Sequence, residues 1–171
     1  MGITFNADEV FEMAERIEEN GAAFYRRAAE LHGDTAGADV DLLLRLAAME
    51  DQHQAVFASM REELTDRMRE DTAADPYMEA SLYLQALGNS HGGEGAAAVT
   101  EALTGNETAE EILQTAIGLE EKSIVFYVGL KDMVPPKLGQ AKVDAIIAEE
   151  KEHLTILATE LRKVCGDADA A

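Results

Sequence analysis

At 171 residues, 47% of them apolar and 28% charged, the chain is about one domain long and large enough to bury a core without cross-links. With 34 acidic residues against 14 basic its net charge is −20, which repels phosphate backbones and excludes nucleic acid as a natural partner. The single cysteine, Cys165, excludes an internal disulfide and a thiolate metal site, and no apolar run approaches the roughly 20 residues that cross a bilayer.

The opening stretch MGITFNADEV has no basic region followed by a hydrophobic run, so the expected location is cytoplasmic, with no membrane contact. Only three prolines interrupt a chain rich in Ala, Leu, Glu, Met and Arg, so local propensity favours helix nearly throughout. The first helix is expected from Asn6, an N-cap with Glu9 three residues later, to Gly33. A second begins between Asp34 and Asp39 and runs to about Glu70. Residues 71–107 form a crossover: Asp75-Pro76 starts a short helix, YMEASLYLQAL, that Gly88 ends. A glycine-rich loop around His91 follows, then a helical turn in AAAVTEAL. A third long helix begins after Thr108, which makes a capping-box pattern with Glu111, and stops before Pro135-Pro136. The fourth follows the prolines and ends near Gly166. The expected organisation is one bundle over 1–166 with a disordered acidic tail over 167–171.

Tight joints between the first two helices and between the last two predict two antiparallel hairpins. The long connection between the hairpins then completes an all-α, antiparallel four-helix bundle with one long crossover. The hairpins also repeat. EENGAAFY (18–25) matches EEKSIVFY (120–127) with an offset of 102, and AMEDQHQAVFA (48–58) matches AEEKEHLTILA (148–158) with an offset of 100.

Each long helix breaks its apolar stripe with an ionisable group. Positions 43, 46, 50, 53, 57 and 60 read Leu, Leu, Glu, His, Phe, Met, and positions 143, 146, 150, 153 and 157 read Val, Ile, Glu, His, Leu. The third helix sets Glu120 among Leu113, Ile117, Ile124 and Tyr127, and the first sets Glu18 seven residues from Phe11 and from Tyr25. Glu18, Glu50, Glu120 and Glu150 each lie fifteen or sixteen residues from their hairpin turn. At about 1.5 Å per residue they share one height, roughly 23 Å from the turns, and should meet.

Four buried carboxylates repel one another and resist desolvation, whereas two divalent cations cancel their charge. Oxygen ligands with two imidazoles suit iron or manganese. One Glu on each of two helices and a Glu-x-x-His on each of the others is the ligand set of ferritin-like di-iron carboxylate proteins. Tyr25 and Tyr127 lie two turns beyond Glu18 and Glu120 on the same faces. There they either pack in the core or donate across the bundle to a ligand carboxylate.

EENGAAFY, EDQH, EEKSIVFY and EKEH resemble the rubrerythrin-like branch of the ferritin-like superfamily, over both hairpins. The resemblance implies that Glu18, Glu50, His53, Glu120, Glu150 and His153 hold two iron ions, oxo- or hydroxo-bridged when oxidised, with manganese as the other metal such donors suit. It makes Glu50 and Glu150 bridging ligands and Glu18 and Glu120 terminal ones. It further implies an oxidoreductase: a peroxidase that reduces hydrogen peroxide in oxidative-stress defence, or a ferroxidase that oxidises ferrous iron with oxygen or peroxide, in a homodimer. No rubredoxin domain follows, so electrons are expected from a separate donor protein such as a rubredoxin. The family's extra carboxylate one turn from the third-helix ligand is missing, since Ile117 and Ser123 stand there; Glu15, one turn before Glu18, is the nearest substitute. The inner set is closer to the plain four-Glu, two-His site of bacterioferritin-like proteins. An iron-storage protein, an oxygenase on the same scaffold and a purely structural bundle remain the other readings.

Overall fold

A computed structural model of the chain describes residues 7–32, 39–65, 99–134 and 136–166. The first helix, α1 (Ala7–His32), turns Val10, Phe11, Ala14, Glu18, Phe24 and Tyr25 inward. The second, α2 (Val40–Glu62), is capped by Asp39, whose carboxylate accepts from the Leu42 N–H at 3.0 Å. The third, α3 (Ala109–Met133), which opens the second hairpin, starts on the expected capping box. Thr108 Oγ1 accepts from the Glu111 N–H at 3.2 Å, and Glu111 Oε2 accepts from the Thr108 N–H at 2.8 Å. A single 3-10 turn, Pro136–Leu138, leads through Gly139 into α4 (Gln140–Val164). Gly139 has φ 103°, and a Cβ there would meet the Met60 side chain at 3.0 Å, so backbone conformation and space both call for glycine.

α1 packs along α2 and α3 along α4, while α1–α3 and α2–α4 contacts close the bundle. The described residues contain helices and no strand. Two apolar clusters fill the interior. One gathers Phe11, Phe57, Met60, Tyr127, Val143 and Ile146 near the α3–α4 turn. The other gathers Phe24, Leu43, Leu46, Ile112, Leu113 and Leu157 at the opposite end. α2 ends beside the first cluster and α3 begins beside the second, which is the geometry a single long crossover requires.

The second helix is shorter than its sequence suggests. It ends at Glu62 instead of continuing to about Glu70: Glu63 is the C-cap and Leu64 and Thr65 are not helical. Arg61 there pairs with Asp8 at 3.0 Å, level with the first described turn of α1. Leu64 then turns back into the first apolar cluster. Residues 99–102 are helical, within the expected turn AAAVTEAL. The cap at Asn6, the stop at Gly33, the short helix after Asp75-Pro76, the loop around His91 and the 167–171 tail lie outside the described residues.

Candidate metal centre

Between the two apolar clusters lies a polar layer. Glu18 from α1, Glu50 and His53 from α2, Glu120 from α3, and Glu150 and His153 from α4 are all buried, none more than 3% exposed. The heptad spacing that aims apolar side chains inward aims these six at the same axis. Equal distance from the turn levels the residues within each hairpin, and their place near mid-helix levels the two hairpins, whose turns lie at opposite ends. All six residues singled out from the sequence therefore converge.

They divide into two overlapping sets. Glu18, Glu50, His53 and Glu150 offer ligand atoms within 4.8 Å of one another, and so do Glu50, Glu120, Glu150 and His153. Glu50 and Glu150 belong to both, as bridging residues would. His53 Nδ1 lies 2.9 Å from Glu150 Oε1 and 3.6 Å from oxygens of Glu18 and Glu50. His153 Nδ1 lies 3.2 Å from oxygens of Glu50 and Glu150 and 3.6 Å from Glu120. The two imidazoles stack at 5.6 Å between centroids, inclined by 18°.

Both tyrosines reach across the bundle. Tyr127 Oη donates to Glu18 Oε1 at 2.5 Å, and Tyr25 Oη donates to Glu120 Oε1. Burial pushes both phenols well above their ordinary pKa, and the facing carboxylates add to the shift, so they remain protonated donors. Gly21 leaves space on the other side: a Cβ there would stand 3.5 Å from the Glu50 side chain.

The carboxylates are unequal. Burial pushes Glu18 and Glu120 well above the usual range, helped by their contacts with Glu50 and Glu150. Burial opposes charge on Glu50 and Glu150 as well, but contacts with the Glu18 and Glu120 carboxyls and with both imidazoles outweigh it and hold these two below the ordinary value. Burial likewise disfavours charged imidazoles, yet the surrounding carboxylates prevail, raising His53 far above its usual value and His153 to about 12. The shifts run in opposite senses within the layer, toward the neutral form at Glu18 and Glu120 and toward the charged form at Glu50, Glu150 and both imidazoles.

Do these residues fit a metal pair? Glu50 Oε1, both Glu150 oxygens and both Nδ1 atoms are buried without a well-directed hydrogen bond among the described residues. A cluster built for its own hydrogen bonds would satisfy these atoms, since each buried orphan costs about 1–3 kcal/mol. Hard oxygens of Glu50 and Glu150 shared by both sets, with one imidazole in each, form a donor set suited to two divalent iron or manganese ions. The residues fit.

Among solved structures, a Thermotoga maritima protein described as ferritin-like and diiron-carboxylate is similar over 93% of this chain and 96% of its own, with a TM-score of 0.67 and 25% identity. The fold is ferritin-like. No protein-family model matches the chain, and no curated protein does. On this ferritin-like bundle the buried carboxylate–histidine cluster supports a di-iron protein, compatible with oxidoreductase chemistry. No helix among the described residues is long and apolar enough to cross a membrane.

Other residues fall elsewhere. Glu15, the substitute for the missing seventh carboxylate, is in the ion-pair network of Arg61 at 3.6 Å, with Asp8 and Glu12 as the other partners. His32 is buried at the end of α1, 3.3 Å from Glu107 and apart from the metal cluster. Cys165 is exposed just past α4. One residue at the site escaped the sequence reading: Glu149 Oε2 lies 3.0 Å from His53 Nε2. Its only signal was a break in the repeat, where Met49 stands opposite Glu149.

Proposed function

We propose that the chain is a di-iron redox protein of the rubrerythrin type, which reduces hydrogen peroxide with electrons from a separate donor protein. The observation that carries this reading is the convergence of four buried glutamates and two histidines with unsatisfied ligand atoms facing one another. Glu18, Glu50, His53, Glu120, Glu150 and His153 would hold the two metals, Glu50 and Glu150 shared between them. Bound as a ferrous pair, iron supplies the two electrons that reduction of peroxide to water requires.

The protein's own groups do the rest. Glu50 and Glu150 are biased toward the anion that accepts a cation, whereas Glu18 and Glu120 are biased toward the neutral form and would give up any proton they hold on becoming ligands. Tyr127 and Tyr25 hold the Glu18 and Glu120 carboxylates in one orientation from across the bundle. The two apolar clusters exclude water above and below the polar layer, which strengthens each charge interaction in it.

Iron-loaded, reduced protein should consume peroxide much faster than the Glu50→Ala, Glu150→Ala double variant. Equal rates would remove the peroxidase reading. One observation favours a second reading, a bacterioferritin-like ferroxidase feeding an iron store: the six-residue set has no extra carboxylate, because Glu15 is held by Arg61. Molecular mass in solution separates the two readings, since a mineral core needs a shell of many subunits and the peroxidase is expected as a dimer.

A further inference from the structure

The repeat makes the two halves of the centre nearly equivalent. An offset of 100 pairs Glu50 with Glu150, His53 with His153 and Met49 with Glu149. Most of the geometry obeys this pseudo-two-fold relation: each Nδ1 faces three carboxylates, and each tyrosine reaches the glutamate of the opposite hairpin. The remote imidazole nitrogens break it. His53 Nε2 meets Glu149 Oε2 at 3.0 Å, whereas His153 Nε2 is buried with no hydrogen-bond partner among the described residues. At the position that would answer Glu149, α2 carries Met49, whose thioether is only a weak acceptor.

We propose that Glu149 is a positioning residue that makes the two metal positions unequal, so that the set Glu18, Glu50, His53 and Glu150 binds its ion more tightly, and first. The inference rests on the di-metal reading above. A carboxylate at Nε2 keeps the proton on that nitrogen, which leaves the Nδ1 lone pair directed at the carboxylate set. It also fixes the ring and increases the basicity of the ligand atom. His153 has no such help from α2. Loss of an outer partner of this kind typically weakens metal binding about 10–100-fold, and that factor is the expected handicap of the His153 position. The ion that exchanges more readily is therefore the one beside His153.

The test is a calorimetric titration of the metal-stripped full chain with Mn²⁺, without oxygen. Repulsion between two bound cations spreads the two steps even in a symmetric site, so the variants decide. Glu149→Gln is expected to weaken the first step about 10-fold or more and leave the second unchanged. Met49→Glu supplies the missing carboxylate and is expected to tighten the second step alone. Equal weakening of both steps by Glu149→Gln, or no weakening, would overturn the inference, as would Met49→Glu leaving the second step unaltered. Glu149 is half exposed, so its substitution should spare the fold; circular dichroism checks this, and Met49→Glu carries the test by itself if it does not. Failure of the native chain to bind Mn²⁺ or Fe²⁺ would overturn the di-metal reading itself. Two bound ions with unresponsive variants would overturn this inference only.

Discussion

At the scale of single residues, the centre is governed by where protons sit before metal arrives. Burial pushes Glu18 and Glu120 toward the neutral form, and the surrounding carboxylates push His53 and His153 toward the cationic one. Binding two divalent ions favours the opposite forms, so loading should release protons. Measured with a pH indicator in weak buffer, loading without proton release would contradict these directions. Affinity should accordingly fall as the pH is lowered, because protons then compete for the same atoms. Tyr127→Phe leaves Glu18 Oε1 without its donor. The metal-free variant should lose about 1–3 kcal/mol in urea unfolding, and metal affinity should drop about 10–100-fold in equilibrium dialysis. An unchanged value in both measurements would mean that the phenol only fills space.

At the scale of elements, helix ends were legible where a side chain caps them and illegible where tertiary contacts end them. Thr108 and Glu111 act locally, through hydrogen bonds to N–H groups three residues away, so the sequence displays them directly, while for the second helix it left the start between Asp34 and Asp39, where Asp39 caps it. The end of α2 is different. There Arg61 donates to Asp8 in the first described turn of α1, a contact between helices that the α2 sequence does not display. The approach to α3 has its own latch. Glu107 accepts from the N–H groups of Thr104 at 2.8 Å and Gly105 at 2.9 Å and from the Thr104 hydroxyl at 2.9 Å, and it lies beside buried His32. The backbone donors of Thr104 lead in holding this carboxyl down at about 2. Its folded value lies below the ordinary 4.5, so its stabilisation is present above 4.5 and is lost as the pH falls toward 2. Glu107→Gln should therefore be less stable than the native chain at neutral pH, with the difference shrinking between pH 4.5 and 2 in thermal melts. A difference independent of pH would assign the latch to shape instead of charge.

At the scale of the molecule, a polar layer stands between two apolar clusters, and the metal-free bundle bears its desolvation cost. Each buried ion costs several kcal/mol before pairing is counted, so ions that bind only the folded state should stabilise it strongly. Adding two equivalents of Mn²⁺ or Fe²⁺ should raise the melting temperature, and excess ligand should raise it further as occupancy saturates. Glu50→Ala, Glu150→Ala removes both shared carboxylates and should abolish the rise. A native chain that takes up fewer than two ions, measured by elemental analysis, would remove every enzymatic reading at once.

The helical periodicity, the repeat and the place of each glutamate near the middle of its helix bring six ionisable side chains to one level, although the two hairpin turns lie at opposite ends. A helix converts sequence spacing into angle and height by fixed geometry. What the linear order could not decide was the outer contacts of those ligands. Whether Tyr127 meets Glu18 or another carboxylate, whether Glu15 joins the centre or turns to Arg61, and whether an imidazole finds Glu149 at its far nitrogen all depend on how one hairpin sits against the other. Those pairings cross between helices, at sequence separations as large as 109 residues for Tyr127 and Glu18, and no local pattern encodes them. Only packing chooses among them, because a side chain at the right height still has several neighbours within reach.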